Sequence, residues 1–167
     1  MNLLKTCLLA VVLCCLTVSC SKDEGVDNQE TNLEAALNLS KETDWEMAND
    51  VLFLINEHRA TLNLSPILVD RNLATDHAVL HTQYMMAADE ISHDNFGQRS
   101  QALIQNGAQS VGENVALGYL SAETVVNAWL QSESHRDVIE GNYTHAGFGF
   151  FKDERGTYYF TQLFYLQ

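Results

Sequence analysis

The sequence predicts an α+β domain in which helices pack over a sheet, and two regions of different pattern indicate this class. Apolar residues recur at helical spacing through residues 45–85 and again through residues 121–130. Residues 146–151 and 157–165 are apolar runs typical of strands, with a polar turn at residues 153–156. Both runs are apolar on both faces, so we expect both sheet faces to be covered by other elements. Helices followed by strands are the pattern of an α+β domain.

The first two helices are predicted from caps and periodicity. Thr43, followed three residues later by Glu46, fits a capping box at the start of the first helix. Pro66, the only proline of the chain, indicates a turn into an extended segment. Asp70 is a candidate cap for the second helix, which carries His77 and His81. We interpret these two histidines as core or hydrogen-bonding residues rather than as a metal pair.

Three further elements follow before the C-terminal strands. A short helix is predicted over residues 98–105, with Gly107 ending it. Residues 113–119 are predicted to be extended. Ser121 is a candidate cap for a fourth helix that points Val125, Val126 and Trp129 inward, and Trp129 is interpreted as a core residue.

The first 20 residues resemble a secretory leader rather than part of the domain. Lys5 precedes an apolar segment over residues 8–16 that is too short to span a membrane as a stable helix. The segment Leu16-Thr17-Val18-Ser19-Cys20 resembles the lipobox of bacterial lipoproteins, in which the cysteine is lipidated and becomes the mature N-terminus. This predicts membrane attachment through a lipid on Cys20. A plain signal peptide cut elsewhere is the alternative.

Residues 21–42 are polar and acidic, and they predict a flexible tether before a domain at residues 43–167. The segment Ser21-Lys22-Asp23-Glu24 resembles the acidic export signal that sends some lipoproteins to the outer surface of Gram-negative cells. An ordinary solvated linker is the alternative. The predicted location is therefore the bacterial cell envelope, as an outer membrane lipoprotein that is displayed on the surface if the export signal acts.

Composition excludes several classes of function. All four cysteines lie within residues 1–20, so the predicted domain has neither a disulfide nor a cysteine nucleophile. Without those 20 residues the chain carries 8 basic against 22 acidic residues, a net charge of −14. Nucleic acid is excluded as a partner, because binding phosphates requires clustered Lys and Arg. Electrostatic docking onto anionic lipid is disfavoured for the same reason.

Three short segments hold the candidate functional residues: Ser92-His93, Gly112-Glu113-Asn114-Val115-Ala116, and Trp129 to Arg136 with His135. They offer two histidines and a carboxylate but lie too far apart to form a local motif. A fold that builds a cleft from several loops could bring them together. Asn114 is expected to fix the loop of Glu113 through backbone hydrogen bonds.

The order of several segments resembles the bacterial branch of the CAP superfamily (cysteine-rich secretory protein, antigen 5 and pathogenesis-related 1; also called SCP domains). The matching segments include Asn56-Glu57-His58-Arg59, Ser92-His93, Gly112 to Ala116, Ser134-His135-Arg136 and Gly147-Phe148-Gly149, and the resemblance covers about residues 50–167. It implies a three-layer α-β-α sandwich, with helices on both faces of a small, mainly antiparallel sheet and a cleft on one side.

The resemblance also implies which residues form the site. His93, Glu113 and His135 match the two histidines and the first acidic residue of the family's cleft, where several members bind zinc or a related cation. The family's second acid falls on Ser132, and Glu133 lies one position further on. On a helix that difference rotates a side chain by about 100°. This chain is therefore expected to have a site of three members.

Three functions are compatible with these residues. Two imidazoles and a carboxylate form a plausible zinc set with a fourth position open for water. Zinc-bound water could then hydrolyse peptide or cell-wall material, with Glu133 or Glu113 as the general base. A hydrogen-bonded His–Glu–His cluster with a structural role is the third possibility. We favour a non-enzymatic binding module that holds a protein or small ligand in the cleft, with a divalent cation at His93, Glu113 and His135.

Overall fold

The computed structural model describes Leu39 and residues 41–167. The predicted leader with Cys20 and nearly all of the predicted tether lie outside the described residues, so those predictions stay predictions. Within the described part of the chain, none of the helices combines the length and the apolar character needed to span a bilayer.

Five helices and four strands make up the described domain. In chain order they are α1 (Trp45–Thr61), β1 (Leu68–Val69), α2 (Leu73–Ala88), α3 (Phe96–Gln105), β2 (Ser110–Leu117), α4 (Ala122–Gln131), α5 (Glu133–Ile139), β3 (His145–Lys152) and β4 (Tyr158–Leu166).

The strands form one sheet in the order β1-β3-β4-β2. The two C-terminal strands pair as an antiparallel hairpin, with Gly147 opposite Leu163. β2 pairs antiparallel with the other side of β4, and Glu113 lies opposite Leu163. The two-residue β1 adds to β3 in parallel. The mainly antiparallel sheet predicted by the family resemblance is confirmed, and β2 forms one of its edges.

Alternating side chains of the sheet build apolar clusters on both of its faces, which makes the domain three layers thick. On one face, Phe148, Phe150 and Phe160 pack with residues of α1 and α4 in the larger apolar cluster. On the other face, Leu163 packs with Ala74 and Ala78 of α2 and with Leu103 of α3. The predicted α+β sandwich with helices on both faces is thus present.

Two glycines let α2 lie directly against the sheet. A Cβ atom added to Gly147 would lie 2.2 Å from the backbone carbon of Ala74, and one added to Gly149 would lie 2.3 Å from the carbonyl oxygen of Ala78. These distances are far below van der Waals contact, so only glycine allows the observed approach. The position of α2 matters for the site, because α2 carries His81.

The helix caps differ in detail from the predictions. Asp44, rather than Thr43, is the N-cap of α1 and accepts a hydrogen bond from the backbone N–H of Met47. Thr43 instead donates its hydroxyl to the carbonyl of Phe148 across the sheet. The predicted cap at Thr43 is therefore wrong by one position, because a tertiary partner takes its hydroxyl. Ser121 caps α4 as predicted and accepts from the N–H of Thr124.

Candidate functional site

Glu113 lies at the centre of the candidate site, in the middle of β2. Its side chain is almost completely buried, with 1% of its surface exposed. The carboxylate faces α3, where Arg99 donates its Nε to Oε2 at 2.8 Å and its Nη2 to Oε1 at 2.9 Å. This is the two-point geometry in which arginine binds a carboxylate most strongly. Oε1 also lies 2.8 Å from Nδ1 of His93.

The loop before α3 carries His93 to this carboxylate. Nε2 of His81, on α2, lies 2.8 Å from the carbonyl oxygen of Ser92, and Arg99 donates its Nη1 to the carbonyl of Asp94 at 2.7 Å. The backbone is therefore held on both sides of His93. The imidazole of His93 remains about half exposed, at 52% of its surface. A fixed backbone beneath an exposed ring is the arrangement expected of a group that meets a ligand.

The electrostatic environment keeps Glu113 ionised. Burial alone would raise the pKa of the carboxyl group, but the hydrogen bond from His93 and the hydrogen bonds and charge of Arg99 together hold that pKa below its usual value. An ionised carboxylate only accepts hydrogen bonds, so Nδ1 of His93 is the donor in this pair. The other ring nitrogen, Nε2, is then left to accept a proton or to bind a ligand.

His135 approaches the same region from the opposite face of the sheet. It lies in the first turn of α5, and its carbonyl accepts a hydrogen bond from Nδ2 of Asn114 at 3.1 Å. Burial lowers the pKa of the His135 imidazole, and the nearby charge of His93 lowers it further. The backbone of His135 lies against Asn114, the residue that follows Glu113 on β2. Asn114 holds α5 rather than the loop of Glu113, which differs from the predicted role.

The remaining carboxylate of the prediction, Glu133, lies apart from this group. It is exposed at the first position of α5, and among the described residues it forms no ion pair or hydrogen bond with His93, Glu113 or His135. Nor do the described residues contain a group of three or more His, Cys, Asp or Glu side chains arranged to hold a metal ion. The structure brings His93 and Glu113 into contact and places His135 nearby.

Arg99 is the functional residue that sequence reasoning missed. It is 6% exposed, and three of its hydrogen bonds go to Glu113 and to Asp94. An arginine four residues before the core residue Leu103 carries no signal of burial in the sequence. Its partner, Glu113, lies on a strand 14 residues away, so no spacing rule links them. The interpretation of His81 and Trp129 as core residues agrees with their exposure of 3% and 2%. His77, interpreted in the same way as His81, is only partly buried.

A groove of about 360 Å³ extends from His135 along the edge of β2. Residues of β2 and α4 line it together with His135; they include Val115, Leu117 and Trp129. Most of the lining side chains are apolar, and the polar ones are Tyr119, Ser132 and His135. The groove therefore has the composition of a binding cleft, in which apolar walls surround a few polar groups.

Comparison with known proteins identifies the architecture. The family model described as "CAP: Cysteine-rich secretory protein family" matches residues 52–164. The uncharacterized protein YkwD of Bacillus subtilis is 31% identical over 105 residues, which cover 60% of this chain and 40% of that protein. The chain thus spans less than half of the length of this curated relative.

Two solved structures share the fold. An outer surface protein of Borrelia burgdorferi superposes with a TM-score of 0.65 at 25% identity, covering 73% of this chain and 93% of that one. An extracellular SCP-domain protein of Bacillus anthracis superposes with a TM-score of 0.62 at 27% identity, covering 71% of this chain and 40% of that one.

Proposed function

From the premise that this chain belongs to the CAP family of cysteine-rich secretory proteins, we propose that it is an extracytoplasmic binding module. In this proposal the cleft offers the imidazoles of His93 and His135 to a divalent cation, and the adjoining groove takes a protein or small ligand. The observation that carries the proposal is the hydrogen bond between Nδ1 of His93 and the ionised Glu113, because it points Nε2 of a half-exposed imidazole away from the protein.

The chemistry of the donor set limits the kind of cation site. Arg99 and His93 take three of the about four acceptor positions of the Glu113 carboxylate, and the side chain is only 1% exposed, so this carboxylate is poorly placed to bind zinc as a third ligand. Its contact with His93 instead matches the supporting role in which a carboxylate orients a metal-binding imidazole. A closed three-ligand zinc site does not fit these residues. We therefore propose that the two imidazoles bind the cation together with water, and we expect this binding to be weak and reversible.

Titration of zinc into the purified protein, followed by calorimetry, tests the cation site. Binding should be lost in His93→Ala and in His135→Ala, while the unfolding transition of each variant stays unchanged. His145→Asn is the matched control, because His145 stacks on Tyr165 at the start of β3 and does not belong to the cleft. Failure to detect binding, or equal binding by all three variants, would exclude the imidazole pair as a cation site.

Catalysis is the second candidate, and the same His93–Glu113 pair favours it. A carboxylate that fixes the tautomer of an exposed imidazole is the general-base arrangement of many hydrolases. Incubation with peptides and with cell-wall fragments tests this function. Turnover that disappears in His93→Ala and Glu113→Ala would replace the binding module by a hydrolase. Loss of turnover in Glu133→Ala would further give that residue the general-base role.

We also propose attachment to the cell envelope through a lipid on Cys20. The lipobox-like segment supports this, as does the likeness to proteins described as outer surface and extracellular. Cys20→Ala should abolish labelling by radioactive fatty acid and should release the protein from the membrane fraction, with Cys15→Ala as the control. A labelled, membrane-bound Cys20→Ala protein would contradict the proposal. For the unmodified protein, protease treatment of intact cells distinguishes display on the outer surface from a periplasmic location.

A further inference from the structure

Two amide side chains face each other in the interior of the sheet. Asn114 on β2 lies directly opposite Gln162 on β4, and both residues are 0% exposed. Gln162 lies between Phe160 and Phe164, which pack in the larger core, so all three point to the face covered by α1, α4 and α5. Asn114 shares this face, because its neighbour two residues on, Ala116, belongs to the same core. Directly opposed residues have Cβ atoms only about 4.5–5.5 Å apart.

Most of the hydrogen-bonding capacity of these amides has no partner. Nδ2 of Asn114 donates to the carbonyl of His135, but Oδ1 of Asn114 and both terminal atoms of Gln162 are buried without a partner among the described residues. Buried polar side chains nearly always have a partner, which is either protein or an ordered water molecule. A cluster of three unpartnered atoms on two adjacent strands therefore points to a common ligand.

The chemistry of the three atoms fits water. Nε2 of Gln162 can donate to the oxygen of a water molecule, which can in turn donate to Oδ1 of Asn114 and to Oε1 of Gln162 or a second acceptor. Buried water molecules typically make about three such bonds. The surroundings are polar on a further side, because the Tyr143 hydroxyl lies 2.7 Å from where a Cβ atom of Gly112 would be. Gly112 is the neighbour of Asn114 on the same face of β2.

We propose that Asn114 and Gln162 bind an internal water molecule beneath α5, and that this water fixes the Asn114 amide with Nδ2 toward His135. Without it, the terminal amide could turn over and present its oxygen to the carbonyl of His135, which would repel it. Asn114 and Gln162 are then positioning residues for His135, acting from inside the core. The inference is separate from the proposed function, because neither cation nor ligand is needed to detect the water.

Crystallography and NMR of the unliganded full-length protein test the water site. We expect an ordered water molecule within about 3 Å of Oδ1 of Asn114 and of the Gln162 amide. In solution, the side-chain NH₂ of Gln162 should show a cross-relaxation peak with water. A direct hydrogen bond between the two amides, with no water between them, would overturn the proposal. These measurements use the unmodified protein, so they remain decisive even if a variant fails to fold.

The positioning role has its own readout. Gln162→Leu removes the polar atoms at similar length, and it should shift the imidazole ¹⁵N resonances of His135. Amide hydrogen exchange in α5 should become about tenfold faster, since the contact that anchors its first turn is weakened. Gln101→Leu, at an exposed position of α3, is the matched control and should change neither. Unchanged resonances of His135 in a folded Gln162→Leu protein would refute the positioning role.

Discussion

Replacing Arg99 by glutamine should reveal how much of the domain's stability depends on one buried ion pair. Arg99 is 6% exposed and the Glu113 side chain is 1% exposed, so the substitution leaves a carboxylate without its cation in a nearly dry environment. Breaking a buried pair in this way costs about 3–5 kcal/mol. Small domains are stable by only about 5–15 kcal/mol, so the loss is a large fraction of the total.

Urea unfolding measured by tryptophan fluorescence gives the magnitude, because Trp129 is buried in the core and is exposed on unfolding. A loss of about 4 kcal/mol, with a slope of about 2 kcal/mol per molar urea, lowers the midpoint by about 2 M. Arg155→Gln is the matched control. Arg155 pairs with Asp89, but both side chains are more than half exposed, and such surface pairs contribute at most about 1 kcal/mol.

The pH dependence provides a second test of the same reasoning. In the unmodified protein the pKa of Glu113 is lowered, so its contribution to stability is present at neutral pH and is lost as the pH falls through that pKa. Without Arg99, burial dominates and should raise the pKa of Glu113, so acid then relieves the cost of the buried charge. The stability difference between the two proteins should shrink between pH 7 and pH 4. A loss equal to that of Arg155→Gln, or a difference that is constant with pH, would refute the argument.

Three further predictions test other parts of the fold, each by the free energy of unfolding. Gly149→Ala places a Cβ atom 2.3 Å from the carbonyl oxygen of Ala78 and should cost about 3 kcal/mol or more. Gly97→Ala in α3 is the control, because a Cβ atom there has no neighbour within 4 Å, and it should stabilise the protein by about 0.5–1 kcal/mol. Similar effects of the two substitutions would contradict the close packing of α2. Burial and the nearby Asp70 raise the pKa of Asp76 to about 6. The cost of ionising Asp76 therefore builds up as the pH rises from 3.8 to about 6, and it is complete above that range. Asp76→Asn should gain about 1 kcal/mol at pH 7.5, allowing for solvent screening, and almost nothing near pH 4. A gain that persists at pH 4 would exclude the ionisation as its cause. Trp129→Phe removes the indole N–H that donates to the carbonyl of Val115 and should lower the free energy of unfolding by about 1–2 kcal/mol. Unfolding followed by circular dichroism measures this loss. An unchanged free energy of unfolding would show that water replaces the indole as the donor.

The sequence predicted the elements well where the local pattern alone determines them. Ser121 at the start of α4, the apolar hairpin of β3 and β4, and the polar turn between them are set by neighbouring residues, and the structure has all three. The cap of α1 moved from Thr43 to Asp44 because Phe148, more than 100 residues away in the chain, provides an acceptor for the Thr43 hydroxyl. Contacts of that separation cannot be inferred from periodicity.

The family resemblance selected candidate residues for the site, but it gave neither Arg99 nor the contacts between them. The family resemblance selected His93, Glu113 and His135, and the structure joins the first two directly. The bond between Arg99 and Glu113 changes what Glu113 can do, from a free ligand to the partner of a buried cation. That change depends on which face of α3 meets β2, and the tertiary packing that decides it leaves no mark on the sequence around either residue.

Neighbouring residues of β2 serve opposite sides of the sheet, and this makes the strand sensitive to a particular class of genetic change. Glu113 points to α3 and His93, while the next residue, Asn114, points to α5 and His135. Deleting or inserting one residue before this pair would exchange the two faces, placing a carboxylate under α5 and an amide against Arg99. A substitution at either position affects the contacts on one face of the sheet, whereas a change of length within the strand should eliminate both halves of the cleft at once.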